Sequence, residues 1–211
     1  MPEPQPAIKA VIFDFGGVLM RTESQERRQR LAQQLGLSLD ELYRLVFDGA
    51  GSREAQLGLI DPDQWWAQIG RSLGLKSRDE QQAFRQAIFA MDVLDRELVD
   101  YVRSLRPRFK TALLSNASTR LVTTLRDLHI SDCFDVIVIS AQVGLMKPDP
   151  AIYRLTLDRL GVEPHEAVFL DDVAENVEAA ATLGIRGVLF TGHGEALNEL
   201  DRLLYGLPPT C

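Results

Sequence analysis

Four places in the chain put groups capable of polar chemistry directly behind an apolar run. Asp14 follows Ala10-Val-Ile-Phe13 and is itself followed by Gly16 and Gly17. Ser115 and Asn116 follow the run at 111–114, Lys147-Pro148-Asp149 comes soon after the run at 136–139, and Asp171-Asp172 closes the run at 167–170. Each has a plain structural alternative, since Asp, Ser and Asn suit helix caps and a lysine suits a solvated turn. Brought together, they would place carboxylates, a hydroxyl, an amide and an ammonium in one crevice. Carboxylates gathered that closely repel one another unless a cation joins them. With only oxygen donors on offer the ion is hard, and Mg²⁺ is the first choice because it takes few carboxylates and leaves room for phosphate oxygens.

The elements that would position these groups are short strands. Ala10-Val-Ile-Phe13 is apolar at every position, the pattern of a strand buried on both faces of a parallel sheet. Further runs at 111–114, 136–139, 167–170 and 187–190 alternate with amphipathic stretches at 119–128, 151–160, 174–183 and 195–205. That alternation predicts an α/β fold, a Rossmann-like doubly wound parallel sheet of about five strands. The carboxyl ends of such strands share one edge, where open α/β sheets hold ligands. Between Leu19 and Val93 the pattern is helical, too long for a connecting loop. Ser38/Glu41 and Ser77/Glu80 read as capping boxes and Asp61-Pro62 as an N-cap with proline at N1. Apolar residues repeat at helical spacing in Leu31/Leu35, Leu42/Leu45/Val46, Trp65/Ile69/Leu73 and Phe84/Ile88. The expected organisation is a Rossmann-like core from 1–20 and 93–211, with a helical module, 21–92, inserted after the first strand; the resemblance described below implies that the core is catalytic and the module a cap. Adjacent aromatics on a helix point apart, so one of Trp65 and Trp66 is expected in the core and the other half-exposed.

The bulk properties narrow the function. A formal charge of -7 over 211 residues argues against a nucleic-acid partner, which calls for a basic face. Two cysteines, Cys133 and Cys211, make no disulfide framework and fit a reducing cytoplasm. The first six residues read as a frayed tail rather than a signal peptide, and no run reaches membrane-spanning length. Small anionic ligands stay possible, with no nucleic acid and no membrane as partner; the small phosphorylated metabolite expected here is what the family resemblance described next implies, and monomer and dimer both stay open. His129, His165 and His193 read as cap, surface and site-flanking residues, and Cys133 as packing.

Asp14-Phe-Gly-Gly-Val, Ser115-Asn116, Lys147-Pro148-Asp149 and Phe169-Leu-Asp-Asp172, in that order, resemble the four motifs of the haloacid dehalogenase-like hydrolases. The resemblance spans nearly the whole chain, with the helical insert where that superfamily carries a cap. The stretch Phe13-Asp-Phe-Gly-Gly-Val-Leu19 is most similar to the branch containing bacterial glucose-1-phosphate phosphatases and the N-terminal phosphatase domain of soluble epoxide hydrolases. The resemblance implies Asp14 as nucleophile and metal ligand, attacking phosphorus to form an aspartyl-phosphate. It implies a backbone-carbonyl metal ligand at Gly16 and completion of the metal site by Asp171 and Asp172, one directly and one through water. Ser115 and Lys147 would hold the phosphoryl oxygens, with Asn116 as a phosphate contact or a support behind it; Asn176, one turn into the following helix, either orients the acidic pair or faces solvent.

One position departs from the pattern. Most phosphatases of the superfamily carry a second Asp two residues after the nucleophile, and such a general acid–base is worth roughly 10²–10⁴ in rate. Here that residue is Gly16. A substrate with a good leaving group, a substitute acid such as Asp48 or Glu54 in a polar, Gly-rich break of the insert, or a module that binds phosphate compounds without turning them over would each accommodate the change. A metal-independent 2-haloacid dehalogenase is the further alternative. It has no use for Asp171-Asp172 beside an ionised nucleophile.

Overall fold

The computed structural model describes residues 7–22 and 24–207. The six N-terminal residues and Cys211 lie outside them. Five parallel strands form one sheet in the order β5-β4-β1-β6-β7: β1 (Ala10–Phe13), β4 (Lys110–Ser115), β5 (Val136–Ile139), β6 (Ala167–Asp171) and β7 (Arg186–Leu189). β1 is central, with Phe13 level with Leu113 of β4 and Leu170 of β6. This register is what brings Asp14, Ser115 and Asp171 to one edge.

Alternation along the strands explains why each is apolar throughout. Val11, Phe13, Leu113 and Leu170 face one buried cluster, shared with Leu98 and Val102 of α6 (Arg96–Leu105), Leu125 of α7 (Leu121–Asp127) and Leu200 of α11 (His193–Tyr205). Ala10, Ile12, Leu114 and Phe169 face the other, with Tyr153 and Leu157 of α9 (Pro150–Leu160) and Ala180 of α10 (Ala174–Thr182). Helices therefore cover both faces, the condition for a parallel sheet. A short α8 (Ser140–Val143) follows β5.

Between β1 and β4 the chain makes an antiparallel ribbon, β2 (Met20–Thr22) against β3 (Asp92–Leu94), and between these strands runs the helical insert. The insert contains α1 (Glu26–Gln34), α2 (Leu39–Tyr43), a π-helical turn at Arg44–Asp48, α3 (Ala50–Gln56), α4 (Pro62–Ser72) and α5 (Arg78–Phe89). Both expected capping boxes form, and Asp61 caps α4 ahead of Pro62. Ala32, Leu42, Val46, Ile69, Phe84 and Ile88 make a buried cluster of their own. Trp65 and Trp66 are both half-buried against it, not one in and one out. The Gly-rich break expected around Asp48 and Glu54 is helical instead: Asp48 ends the π turn, Gly49 caps α3, and Glu54 lies within α3.

Arg28 ties the insert to the ribbon. It is buried, and its guanidinium donates to the Ile88 carbonyl at 3.0 Å, the Tyr43 hydroxyl at 2.7 Å and Asp92 at 2.7 Å, while Thr22 donates to the same Asp92 oxygen. On the core side Asp95, the cap of α6, accepts from Arg21 of β2 and lies 2.5 Å from His193 Nε2. Removing one partner of a buried ion pair strands the other. Arg28→Met is expected to lower unfolding stability by about 3 kcal/mol, read from the urea midpoint. A loss well under 1 kcal/mol would mean that the ribbon anchor does not hold the insert.

Candidate active site

Three of the four sequence motifs meet through one side chain. Lys147 is buried, and its ammonium donates to Asp14 Oδ1 at 2.7 Å and to Asp171 Oδ2 at 2.6 Å. Asp14 begins where β1 ends, its backbone N–H still bonded to the Leu170 carbonyl at 2.9 Å, so the first residue past the strand is held in the sheet's register. Asp171 is the last residue of β6 and fully buried. Its Oδ1 accepts from the Val173 N–H at 2.8 Å, and the Asn176 amide donates to both of its oxygens at 3.1–3.2 Å. The Asn176 side chain thus orients Asp171, while Tyr153 donates from below to the Asn176 carbonyl at 2.9 Å.

Lys147 is held from behind as well. Asn116 accepts from the Lys147 N–H and donates to the Lys147 carbonyl, both at 2.8 Å, a side chain imitating a strand neighbour. The Asn116 carboxamide is therefore committed to the lysine's backbone. Of the roles considered for it, support of Lys147 is the one its hydrogen bonds make. Ser115 ends β4, buried beside this clamp, and Ser140 fixes Ala117, two residues on, by accepting from its N–H at 2.9 Å. Neither Ser140 nor Tyr153 stood out in the sequence, because a serine after a strand and a tyrosine on an amphipathic helix are ordinary packing residues.

Asp172 completes an acidic triad: carboxylate oxygens of Asp14, Asp171 and Asp172 lie within 4.8 Å of one another. The two glycines after Asp14 behave differently. Gly17 has φ +83°, and a Cβ there would stand 2.0 Å from Asp172 Oδ2, so only glycine lets that carboxylate approach. Around Gly16 no atom lies within 4 Å of where a Cβ would be. The space for an acid at that position exists; the side chain does not.

The charge account is unbalanced. Three carboxylates face one ammonium, two of them buried with it. Burial pushes the Asp14 carboxyl up to about 7, against the pull of Lys147 and with the repulsion of Asp171 behind it. Burial also raises Asp172, again helped by Asp171. Burial alone would lower the Lys147 ammonium, but Asp14 and Asp171 outweigh it and hold the lysine charged. A hard divalent cation on the oxygen donors would cancel the excess, so this donor set fits Mg²⁺. Beside the site a cavity of about 420 Å³ separates Arg53 of α3 and Leu57, which caps its end, from the loop carrying Lys147, walled there by Leu145, Met146 and Pro148. Asp48 and Glu54 make no hydrogen bond or ion pair to the acidic triad among the described residues.

Residues 8–184 match the family profile of the haloacid dehalogenase-like hydrolases. A phosphorylated carbohydrates phosphatase of Thermotoga maritima is 35% identical over 204 residues, covering 93% of this chain and 90% of that protein. The bifunctional epoxide hydrolase 2 of Rattus norvegicus is 26% identical over 216 residues, covering 93% of this chain; the chain spans 39% of that relative's length. Among solved structures, a haloacid dehalogenase family enzyme of Bacteroides thetaiotaomicron crystallised with magnesium and inorganic phosphate superposes with a TM-score of 0.75 at 25% identity, covering 93% of this chain and 100% of that one.

The raised Asp14 carboxyl has a stability consequence with a definite sign. The folded state keeps a proton that the unfolded chain releases, so the penalty on folding begins as pH rises past 3.8 and is complete above about 7. In EDTA, the melting temperature should fall across that window. Millimolar Mg²⁺ should restore it most at the upper end, because the ion replaces the proton. Equal melting temperatures at pH 5 and pH 8 without metal, or an Mg²⁺ effect confined to the acid side, would contradict this charge account.

Proposed function

The chain belongs to the haloacid dehalogenase-like hydrolase family, and within it we propose that it is a Mg²⁺-dependent phosphomonoester hydrolase acting on a small phosphorylated metabolite, a sugar phosphate foremost. The observation that carries this reading is the acidic triad gathered on Lys147, which lacks charge balance without a divalent cation. The solved relative bound to magnesium and phosphate and the phosphatase relatives support it. Bound Mg²⁺ screens the negative charge of nucleophile and phosphoryl group and orients one toward the other. Asp14, the Gly16 carbonyl, Asp171 and Asp172 would hold it, one of the last two through water.

The chain's own residues perform the transfer. Asp14 attacks phosphorus in line, the P–O bond to the leaving group breaks, and the electron pair departs on the leaving oxygen, which takes its proton from water because residue 16 has none to give. Lys147 has a third N–H beyond those on Asp14 and Asp171, and with the Ser115 hydroxyl it holds the phosphoryl oxygens as charge spreads over them. Asn116 keeps the lysine in place. Water then attacks phosphorus, releasing phosphate and restoring the Asp14 carboxylate. The first transfer favours substrates with good leaving groups, and the second lacks a side-chain base. Residues 21–92 serve as the cap, closing over the site on the β2–β3 ribbon and excluding bulk water. We place the enzyme in the cytoplasm on its composition and thiol usage.

Phosphate release from a panel of sugar, acyl, alkyl and aryl phosphates tests this. Turnover should need Mg²⁺, stop in EDTA and vanish in Asp14→Asn. Gly16→Asp has room for its side chain and should raise turnover of alkyl phosphates by roughly 10²-fold, with less effect on aryl phosphates. Activity that survives in EDTA or in Asp14→Asn would sink the reading, and halide release from a 2-halo acid in its place would favour the dehalogenase.

A further inference from the structure

The polar order of the site continues behind the groups that line it. Tyr153 is fully buried at the end of the first turn of α9, and its hydroxyl donates to the Asn176 carbonyl at 2.9 Å. For packing alone a phenylalanine would serve, and burying a hydroxyl carries a desolvation cost, so the oxygen calls for an account.

Two helix starts meet at this bond. Asp149 caps α9 by accepting from the Ala151 N–H at 2.8 Å, and its own N–H donates to the Met146 carbonyl at 2.9 Å. The start of α9 is thereby pinned to the turn that carries Lys147. The start of α10 is pinned to Asp171 in a similar way: the Val173 N–H donates to Asp171 Oδ1, and the Asn176 N–H donates back to the Val173 carbonyl at 3.0 Å. Asp171 thus takes Lys147 from the α9 side and the Asn176 amide from the α10 side. The Tyr153 hydroxyl bonds one side to the other. Its ring adds a brace, packing at 76° to the Phe169 ring with centroids 5.5 Å apart, while the Lys147 ammonium lies 5.4 Å over Phe169. Burial raises the phenol, and the charges of Asp171 and Asp14 raise it further, so the hydroxyl keeps its proton and stays a donor.

We propose that the Tyr153 hydroxyl is a positioning group for the metal site: by holding the first turn of α10 to α9, it keeps the Asn176 amide on both oxygens of Asp171 and that carboxylate in place for a divalent cation. Partners behind a metal-binding carboxylate are worth about 10–100-fold in metal affinity, and Tyr153, one step further out, belongs at the low end of that range. This deepens the phosphatase reading and rests on it for the Mg²⁺ that the acidic triad takes.

The test titrates Mg²⁺ alone, by calorimetry, into the wild type, Tyr153→Phe, Asn176→Ala and the double variant, beside kcat and KM for an aryl phosphate at saturating Mg²⁺. Tyr153→Phe keeps the ring and loses the hydroxyl; it should weaken Mg²⁺ binding by about tenfold and lower kcat with KM unchanged. Asn176→Ala keeps the carbonyl but cuts the path to Asp171, so in that background Tyr153→Phe should cost under about twofold. A purely structural tyrosine would cost the same in both. Thr156→Val is the stability control, removing a buried hydrogen bond of the same helix, to the Ile152 carbonyl at 2.8 Å; it should lower the urea midpoint and leave Mg²⁺ affinity at the wild-type value. Unchanged Mg²⁺ affinity in Tyr153→Phe, an equal loss in both backgrounds, or an equal loss in Thr156→Val overturns the positioning role. If Mg²⁺ binds but no phosphate is turned over, the phosphatase reading falls and the isotherms alone decide for or against Tyr153. If the wild type binds no Mg²⁺, both fall.

Discussion

The contact on which the rest of the structure depends is the buried ammonium of Lys147 between Asp14 and Asp171. One positive charge among three carboxylates leaves the site in deficit, and each neighbouring feature answers that deficit. Asn116 grips the backbone of the lysine, and Asn176 and the Val173 N–H solvate Asp171, so the charges stay where a cation and a phosphoryl group complete them. The sheet supplies the precision. With Phe13 level with Leu113 and Leu170, a one-residue slip of β1 would turn its apolar residues to the wrong faces and carry Asp14 away from Lys147.

The adjacent glycines show how finely the loop after β1 is shaped. Gly17 has no room for a side chain because Asp172 occupies that space, so its role is to let the third carboxylate in. Gly16 has room and leaves it empty, which makes the missing acid a choice of chemistry, not of sterics. On the phosphatase reading proposed above, a site built this way would depend on its substrate to bring a good leaving group.

Much of this was legible in the sequence because the signals were strong and local. Continuous apolar runs are rare outside two-sided burial, so all five strands of the sheet were marked, and the polar residue behind each run marked the edge. The capping residues Ser38, Asp61 and Ser77 fixed helix starts for a similar reason: the spacing that satisfies the first-turn N–H groups is visible in the letters. The β2–β3 ribbon was not legible, since each strand has three residues and a half-exposed face. Nor was the orientation of Asn116, whose neighbour lies 31 positions away, or the grouping of Phe47, Trp66 and Phe89, which comes from three separate helical elements. Contacts of that kind depend on tertiary packing, and no period within a single element encodes them. The expected break near Asp48 is absent because its two glycines do not mark a loop: Gly49 caps α3, and Gly51 gives way to the Trp65 ring.

The central claim is that Asp14, balanced by Lys147 and a divalent cation, takes the phosphoryl group covalently. The most direct measurement is mass spectrometry of protein mixed with an aryl or acyl phosphate and quenched in acid within a turnover, with peptides spanning Asp14 compared in Mg²⁺ and in EDTA. One phosphoryl group on Asp14, present only with Mg²⁺ and lost on standing in neutral buffer, is the predicted result. Continued phosphate release with Asp14 unmodified at every quench time, or the phosphoryl group on another residue, would contradict it.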